Sequence, residues 1–251
     1  MRALILSDIH SNIDALEAVL AAAPVHDVVW NLGDVVGYGA APNAVIDCVR
    51  DLAVVHVRGN HDRGCSGLLH AEEFNPMALA AVRWTQKELS SENMQWLRKV
   101  PRGPVHTTEK NALCVHGSPL HEDQYVQAQP EARAAIAATE EPLIFFGHTH
   151  VQGGFAVNPD GDGFTLTPNY ASPNAIDFYE LKLRQGARYM LNPGSVGQPR
   201  DRDWRAAFAL YDSVAQSVIF GRVPYMVQAA QIRILRAGLP ESLATRLRIG
   251  R

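Results

Sequence analysis

Apolar residues in the first two-thirds of the chain fall into short unbroken runs, separated by segments where they recur at helical spacing. The runs at 3–7, 28–32, 54–58, 112–115 and 143–146 have the length of strands buried on both faces. Between them, Leu16, Val19, Leu20 and Ala23 mark one face of a helix. Residues 42–52 predict a second helix with a proline in its first turn, and Asn75-Pro76 caps a third over 77–89. A further helix is expected over 130–139. After about residue 151 the period changes. Gly, Asn, Pro and Asp punctuate short alternating segments at 164–167, 178–183, 189–191 and 206–211, which read as antiparallel strands. Residues 227–251 are helical in composition, and Arg233, Arg236, Arg246, Arg248 and Arg251 read there as a solvated face.

Strands alternating with helices predict an α/β fold, with the strands packed between the helices. No repeat, low-complexity tract or linker divides the chain. One domain is therefore expected over 1–251, with a strand-rich second half at 151–222 and a helical tail at 223–251. A chain of 251 residues, 47% of them hydrophobic, can bury a sizeable core. Its net charge of -3 argues against long nucleic acid as a partner, since that selects a basic surface. No apolar run spans a bilayer and no secretory signal follows Met1, so a cytoplasmic location away from membranes is expected. Cys48, Cys65 and Cys114 lack metal-knuckle spacing and read as reduced thiols.

Chemistry enters at the ends of five predicted strands. These carry Asp8-Ile9-His10, Gly33-Asp34, Gly59-Asn60-His61-Asp62, His116-Gly117 and Gly147-His148-Thr149-His150. Strand ends in α/β folds face the crevice where ligands bind, so the five clusters can converge. Asp8 and His10, like His148 and His150, are two apart, which in extended backbone points both side chains to one side. Gly33 lets the chain turn closely and leaves the Asp34 carboxylate free to bridge two cations. Two Asp, one Asn and four His exceed the four ligands of one tetrahedral zinc and suit two borderline cations such as manganese, iron or zinc. Any one of these clusters alone would be an ordinary turn; five after five apolar runs are a site.

In this order, the five motifs resemble the signature of the calcineurin-like metallophosphoesterases over roughly residues 1–150. Asn192-Pro193-Gly194-Ser195-Val196-Gly197-Gln198 resembles a later segment of the small bacterial and archaeal members, the YfcE-type phosphodiesterase group. The resemblance implies a four-layer αββα sandwich with two mixed β-sheets. It also implies two metal ions, of manganese, iron, zinc or nickel. Asp8, His10 and His150 would hold one, Asn60, His116 and His148 the other, and Asp34 would bridge them. A hydroxide between the metals would attack phosphorus. His61, the family's non-ligand histidine, would protonate the leaving oxygen or steady the phosphate. Asp62 either orients His61 or caps the turn. Asn12 stands as a candidate phosphate binder at a helix start or as that helix's cap. Arg200 is a candidate phosphate clamp or a surface ion pair, and Tyr38 lines the pocket or packs. The expected substrate is a small phosphodiester or phosphomonoester. A dinucleoside polyphosphate hydrolase, a protein phosphatase and a non-enzymatic scaffold are the alternatives.

Overall fold

A computed structural model describes residues 1–107 and 112–251. Two six-stranded mixed sheets form its centre. In the first, β1 (Arg2–Leu6), β2 (Val28–Asn31) and β3 (Val55–His56) run parallel. The sheet continues antiparallel through β11 (Ala206–Asp212), β12 (Ser217–Val223) and β9 (Asp177–Lys182). The second sheet has the order β4 (Val105–His106), β5 (Ala112–Cys114), β6 (Leu143–Phe145), β10 (Arg188–Asn192), β7 (Gly153–Val157), β8 (Gly163–Leu166). Its parallel strands are β5, β6 and β10.

Alternation of side chains across a strand turns each apolar run into two packing faces. On β1, Ala3 and Ile5 face the second sheet, whereas Leu4 and Leu6 face an outer helical layer. On β11, Ala209 and Tyr211 point inward and Phe208 and Leu210 outward. Between the sheets lie Trp30, Phe145, Leu191 and Phe220, with the Trp30 ring 6.0 Å from Phe145 and 6.1 Å from Tyr211. Full burial of side chains this large contributes roughly 2–3 kcal/mol each.

The outer layer on the first sheet holds α1 (Ile13–Ala22), α2 (Pro42–Leu52), α3 (Asn60–Ser66), α4 (Pro76–Glu88), α5 (Ser91–Lys99), α7 (Val227–Arg236) and α8 (Glu241–Leu247). The layer on the second sheet is α6 (Gln129–Ala137), whose Ala132, Ala135 and Ile136 pack on Ile144 and Phe146. The fold is the four-layer αββα sandwich.

Three local readings differ from expectation. The strand expected over 54–58 is only Val55–His56, because Asn60 already opens α3. Helix α5 was not legible, since its exposed turns are polar; Ser90 caps it by accepting the Asn93 amide at 3.1 Å. The basic tail is two helices, broken at Gly238 with φ 69° just ahead of Pro240. Among the described residues no helix is long and apolar enough to cross a membrane.

Candidate metal centre

Strands β1, β2, β5 and β6 each end a few residues before the side chains that carry the chemistry. The loops beyond them stay in register. The Asp8 amide donates to Gly33 O at 2.9 Å, His10 to Asp34 O at 3.0 Å, and Gly147 to His116 O at 2.8 Å. The extended geometry expected for Asp8-x-His10 and His148-x-His150 is not what aligns them. Asp8, His10, Asp34, His148 and His150 all adopt left-handed backbone, with φ of 53°, 49°, 53°, 66° and 59°. Each such residue costs on the order of 1–3 kcal/mol, a strain that clusters at functional sites. Asp34 can pack here because its neighbours lack side chains. Gly33 has φ +100°, and a Cβ on Gly59 would sit 2.0 Å from Asp34 Oδ1.

These loops bring the candidate ligands into two buried groups that could each hold a metal ion. Asp8, His10, Asp34 and His150 have ligand atoms within 4.8 Å of one another, as do Asp34, His116 and His148. Asp34 belongs to both. Its Oδ2 lies 3.7 Å from His10 Nε2 and 3.4 Å from His116 Nε2. Backbone carbonyls fix the imidazole tautomers. Val36 O is 3.0 Å from His10 Nδ1, Gln198 O 2.6 Å from His150 Nδ1, and Leu32 O 2.9 Å from His116 Nδ1. A carbonyl only accepts, so each Nδ1 carries a hydrogen, and in His10 and His150, which burial keeps neutral, Nε2 turns a lone pair inward. His10 Nε2 and His150 Nε2 then face each other at 3.1 Å, lone pair against lone pair. Two acceptors at that distance repel unless a cation lies between them. Asn60 Oδ1 and His148 Nε2 are also buried without a hydrogen-bond partner among the described residues. By this donor chemistry the residues fit a pair of metal ions.

Electrostatics point the same way. Burial opposes the charged form of every group here. Even so, His150 and His116 hold Asp8 well below the carboxylate range, and His116 and His61 do the same for Asp34. Burial works against a charge on His116 too, yet the Asp34 carboxylate raises it to about 10. Burial and the neighbouring His116 push His148 down to about 3. Two buried carboxylates thus share one protonated imidazole, and the centre is short of positive charge.

His61 belongs to neither group of ligands. Its ring packs against Tyr38 (4.3 Å), His10 (4.9 Å) and Phe74 (4.9 Å), and its buried Nδ1 has no partner among the described residues. Of the two readings of Asp62, the turn cap is the one observed, which corrects its assignment as a catalytic residue. Its carboxylate accepts the amides of Asp34 (2.8 Å), Gly59 (3.0 Å) and Val36 (3.2 Å), and none of its hydrogen bonds goes to His61. Asp62 is a positioning residue for the Asp34 loop.

Asn12 is likewise corrected from phosphate binder to cap. Its Oδ1 accepts the Ala15 amide at 3.2 Å, and its Nδ2 donates to Gly197 O at 2.9 Å and to the Tyr225 hydroxyl at 3.3 Å, so neither end is free. Asn12→Ala should lower unfolding stability by about 1–3 kcal/mol, from the lost cap and the buried bonds. Urea titration of the two proteins measures this; an unchanged midpoint would rule the cap out.

Arg200 lies at the edge of the centre, its Nη2 3.3 Å from the Tyr38 hydroxyl and 3.2 Å from Gln198 Oε1. Among the described residues it forms no ion pair with an acidic side chain, so the surface-pair alternative is not what is seen. The 192–198 segment is a buttress. Ser195 Oγ donates to Asp8 O at 2.7 Å, the Gly197 amide to the same oxygen at 3.0 Å, and Asn192 Nδ2 to Gly147 O at 2.8 Å. Sequence reasoning missed Tyr125, whose half-exposed ring lies 3.9 Å from that of His148; its loop carries no motif that could have pointed to it.

Residues 1–215 match the model of the calcineurin-like phosphoesterase superfamily domain. An uncharacterised protein of Methanocaldococcus jannaschii, MJ0912, is 33% identical over 250 residues, 98% of this chain and 97% of that one. The crystal structure of a metallophosphoesterase from Sphaerobacter thermophilus is 40% identical, covers 100% of both chains and superposes with a TM-score of 0.86. The symmetrical bis(5'-nucleosyl)-tetraphosphatase of Yersinia enterocolitica is 32% identical over 106 residues, 40% of this chain and 36% of that one. The chain belongs to the calcineurin-like phosphoesterase superfamily, a family of hydrolases acting on phosphoesters.

Proposed function

We propose that the protein is a dinuclear metal-dependent phosphoesterase that hydrolyses small phosphodiesters or phosphomonoesters. The observation that carries this reading is the sharing of Asp34 between two ligand groups, with the Nε2 lone pairs of His10 and His150 turned inward on one side and Asn60 Oδ1 and His148 Nε2 left without partners among the described residues on the other. Asp8, His10 and His150 would hold one metal, Asn60, His116 and His148 the other. When bound, a pair of cations close together supplies Lewis acidity and lowers the pKa of water. The chain's own part is orientation and charge. Arg200, beside the centre and without an acidic partner among the described residues, would hold a non-bridging phosphate oxygen. His61, stacked between Tyr38 and Phe74, would face the leaving oxygen. A dinucleoside polyphosphate hydrolase is a second reading, supported by the 106-residue likeness to the Yersinia tetraphosphatase. A cytoplasmic setting fits three free cysteines.

Protein stripped of metal should lose hydrolysis of bis(p-nitrophenyl) phosphate and p-nitrophenyl phosphate. Added manganese, iron, zinc or nickel should restore it. The same additions should raise the melting temperature, since a ligand at about 100 times its Kd stabilises by about 2.7 kcal/mol. Stoichiometric metal binding and a raised melting temperature without turnover of any phosphoester would sink the enzyme reading in favour of a scaffold.

A further inference from the structure

We propose that Arg246, reaching in from the C-terminal helix α8, forms with Arg200 a second anion subsite that holds the phosphate adjoining the one cleaved. This rests on the phosphoesterase reading above and narrows its substrate class to esters carrying two or more linked phosphates.

The geometry centres on Tyr38. The Arg200 guanidinium carbon lies 5.7 Å from the Tyr38 ring centroid and that of Arg246 5.9 Å, so two cations lie against one aromatic ring. The ring itself is 4.7 Å from His10 and 4.3 Å from His61, so Arg200, whose charge acts on His61 and His150, lies beside the metal centre and Arg246 lies one ring further out. Several other arginines have acidic partners, two of them buried. Arg205 pairs with Asp203 at 2.5 Å, Arg222 pairs with Asp201, and on the neighbouring helix α7 Arg233 pairs with Asp14 at 3.0 Å. Among the described residues, Arg200 and Arg246 form no ion pair with an acidic side chain. Arg246 Nε donates to Arg251 O at 2.6 Å, and Arg200 Nε is buried with no partner among the described residues.

Like charges drawn together at a partly buried surface repel each other. Burial, and then the Arg200 charge, lower the pKa of Arg246 from its ordinary value. An anion bound between them reverses the sign of that interaction. The planar guanidinium fork suits phosphate oxygens in particular. A phosphate on the metals would take one set of contacts from Arg200. A second phosphate, linked to the first, would extend past Tyr38 toward Arg246. The basic tail is therefore not wholly the solvated face its sequence suggests.

The test compares AMP with ADP, as inhibitors of bis(p-nitrophenyl) phosphate hydrolysis by the metal-loaded protein and by calorimetric titration into metal-free protein. Wild type should bind ADP on the order of tenfold more tightly than AMP, equivalent to about 1.4 kcal/mol. Arg246→Gln should remove most of that advantage while weakening AMP far less, and Arg246→Lys should keep part of it. The half-exposed position leaves both variants room to fold, which thermal melting checks. Equal binding of ADP and AMP by wild type overturns the subsite, as does an ADP preference that survives in Arg246→Gln. Absence of hydrolysis of both the diester and p-nitrophenyl phosphate with every metal would overturn the phosphoesterase reading instead, and the titration would still decide the subsite.

Discussion

Asp34→Asn should reduce metal-dependent kcat/KM on the order of a thousandfold or more, equivalent to at least about 4 kcal/mol of transition-state stabilisation. The substitution isolates one atom. Asp34 Oδ1 accepts the His61 amide at 2.8 Å, and an asparagine oxygen can keep that bond. Oδ2 is the atom that faces both His10 Nε2 and His116 Nε2. An amide nitrogen placed there has no lone pair to offer a cation and could not bridge two. The variant should therefore fold and keep less than two equivalents of metal by elemental analysis. Its far-ultraviolet dichroism should match that of wild type. Full metal content together with wild-type turnover would show that the carboxylate is not a bridge.

Much of this site was legible because its residues follow the apolar runs closely. A run such as 3–7 or 143–146 is readable as a buried strand, and what comes just after it must lie at the sheet's end. That places Asp8, Asp34, His116, His148 and His150 without any knowledge of their contacts. What the spacing could not show is how the loops turn. Asp8 and His10 are aligned by left-handed backbone and by bonds to Gly33 O and Asp34 O, not by strand alternation. Roles that depend on a hydrogen-bond partner distant in sequence were equally hidden. Asp62 sits beside His61 in the chain, yet its carboxylate serves the Asp34 and Val36 amides. Asn12 is held by Gly197 and Tyr225, and Arg246 finds Tyr38 across the molecule. Periodicity carries no information about such contacts.

The environment of His61 decides what its loss should do. Burial, more than the opposing pull of Asp34, lowers its pKa to about 4, with Arg200 adding to the fall. At neutral pH the free imidazole is therefore uncharged. A proton on it must arrive with the substrate, whose phosphate charge beside the ring favours the imidazolium. His61→Ala should cost about 10²–10⁴ in kcat, the usual range for a lost general acid. Metal content should stay near wild type, because His61 belongs to neither ligand group. The size of the loss should depend on the leaving group. p-Nitrophenolate departs without a proton, whereas an alkoxide needs one, so methyl or nucleoside esters should suffer more than p-nitrophenyl esters. A loss of equal size for both classes, with a raised KM, would instead assign His61 to holding the phosphate. Loss of metal from the variant would make it a ligand, which its stacking between Tyr38 and Phe74 argues against.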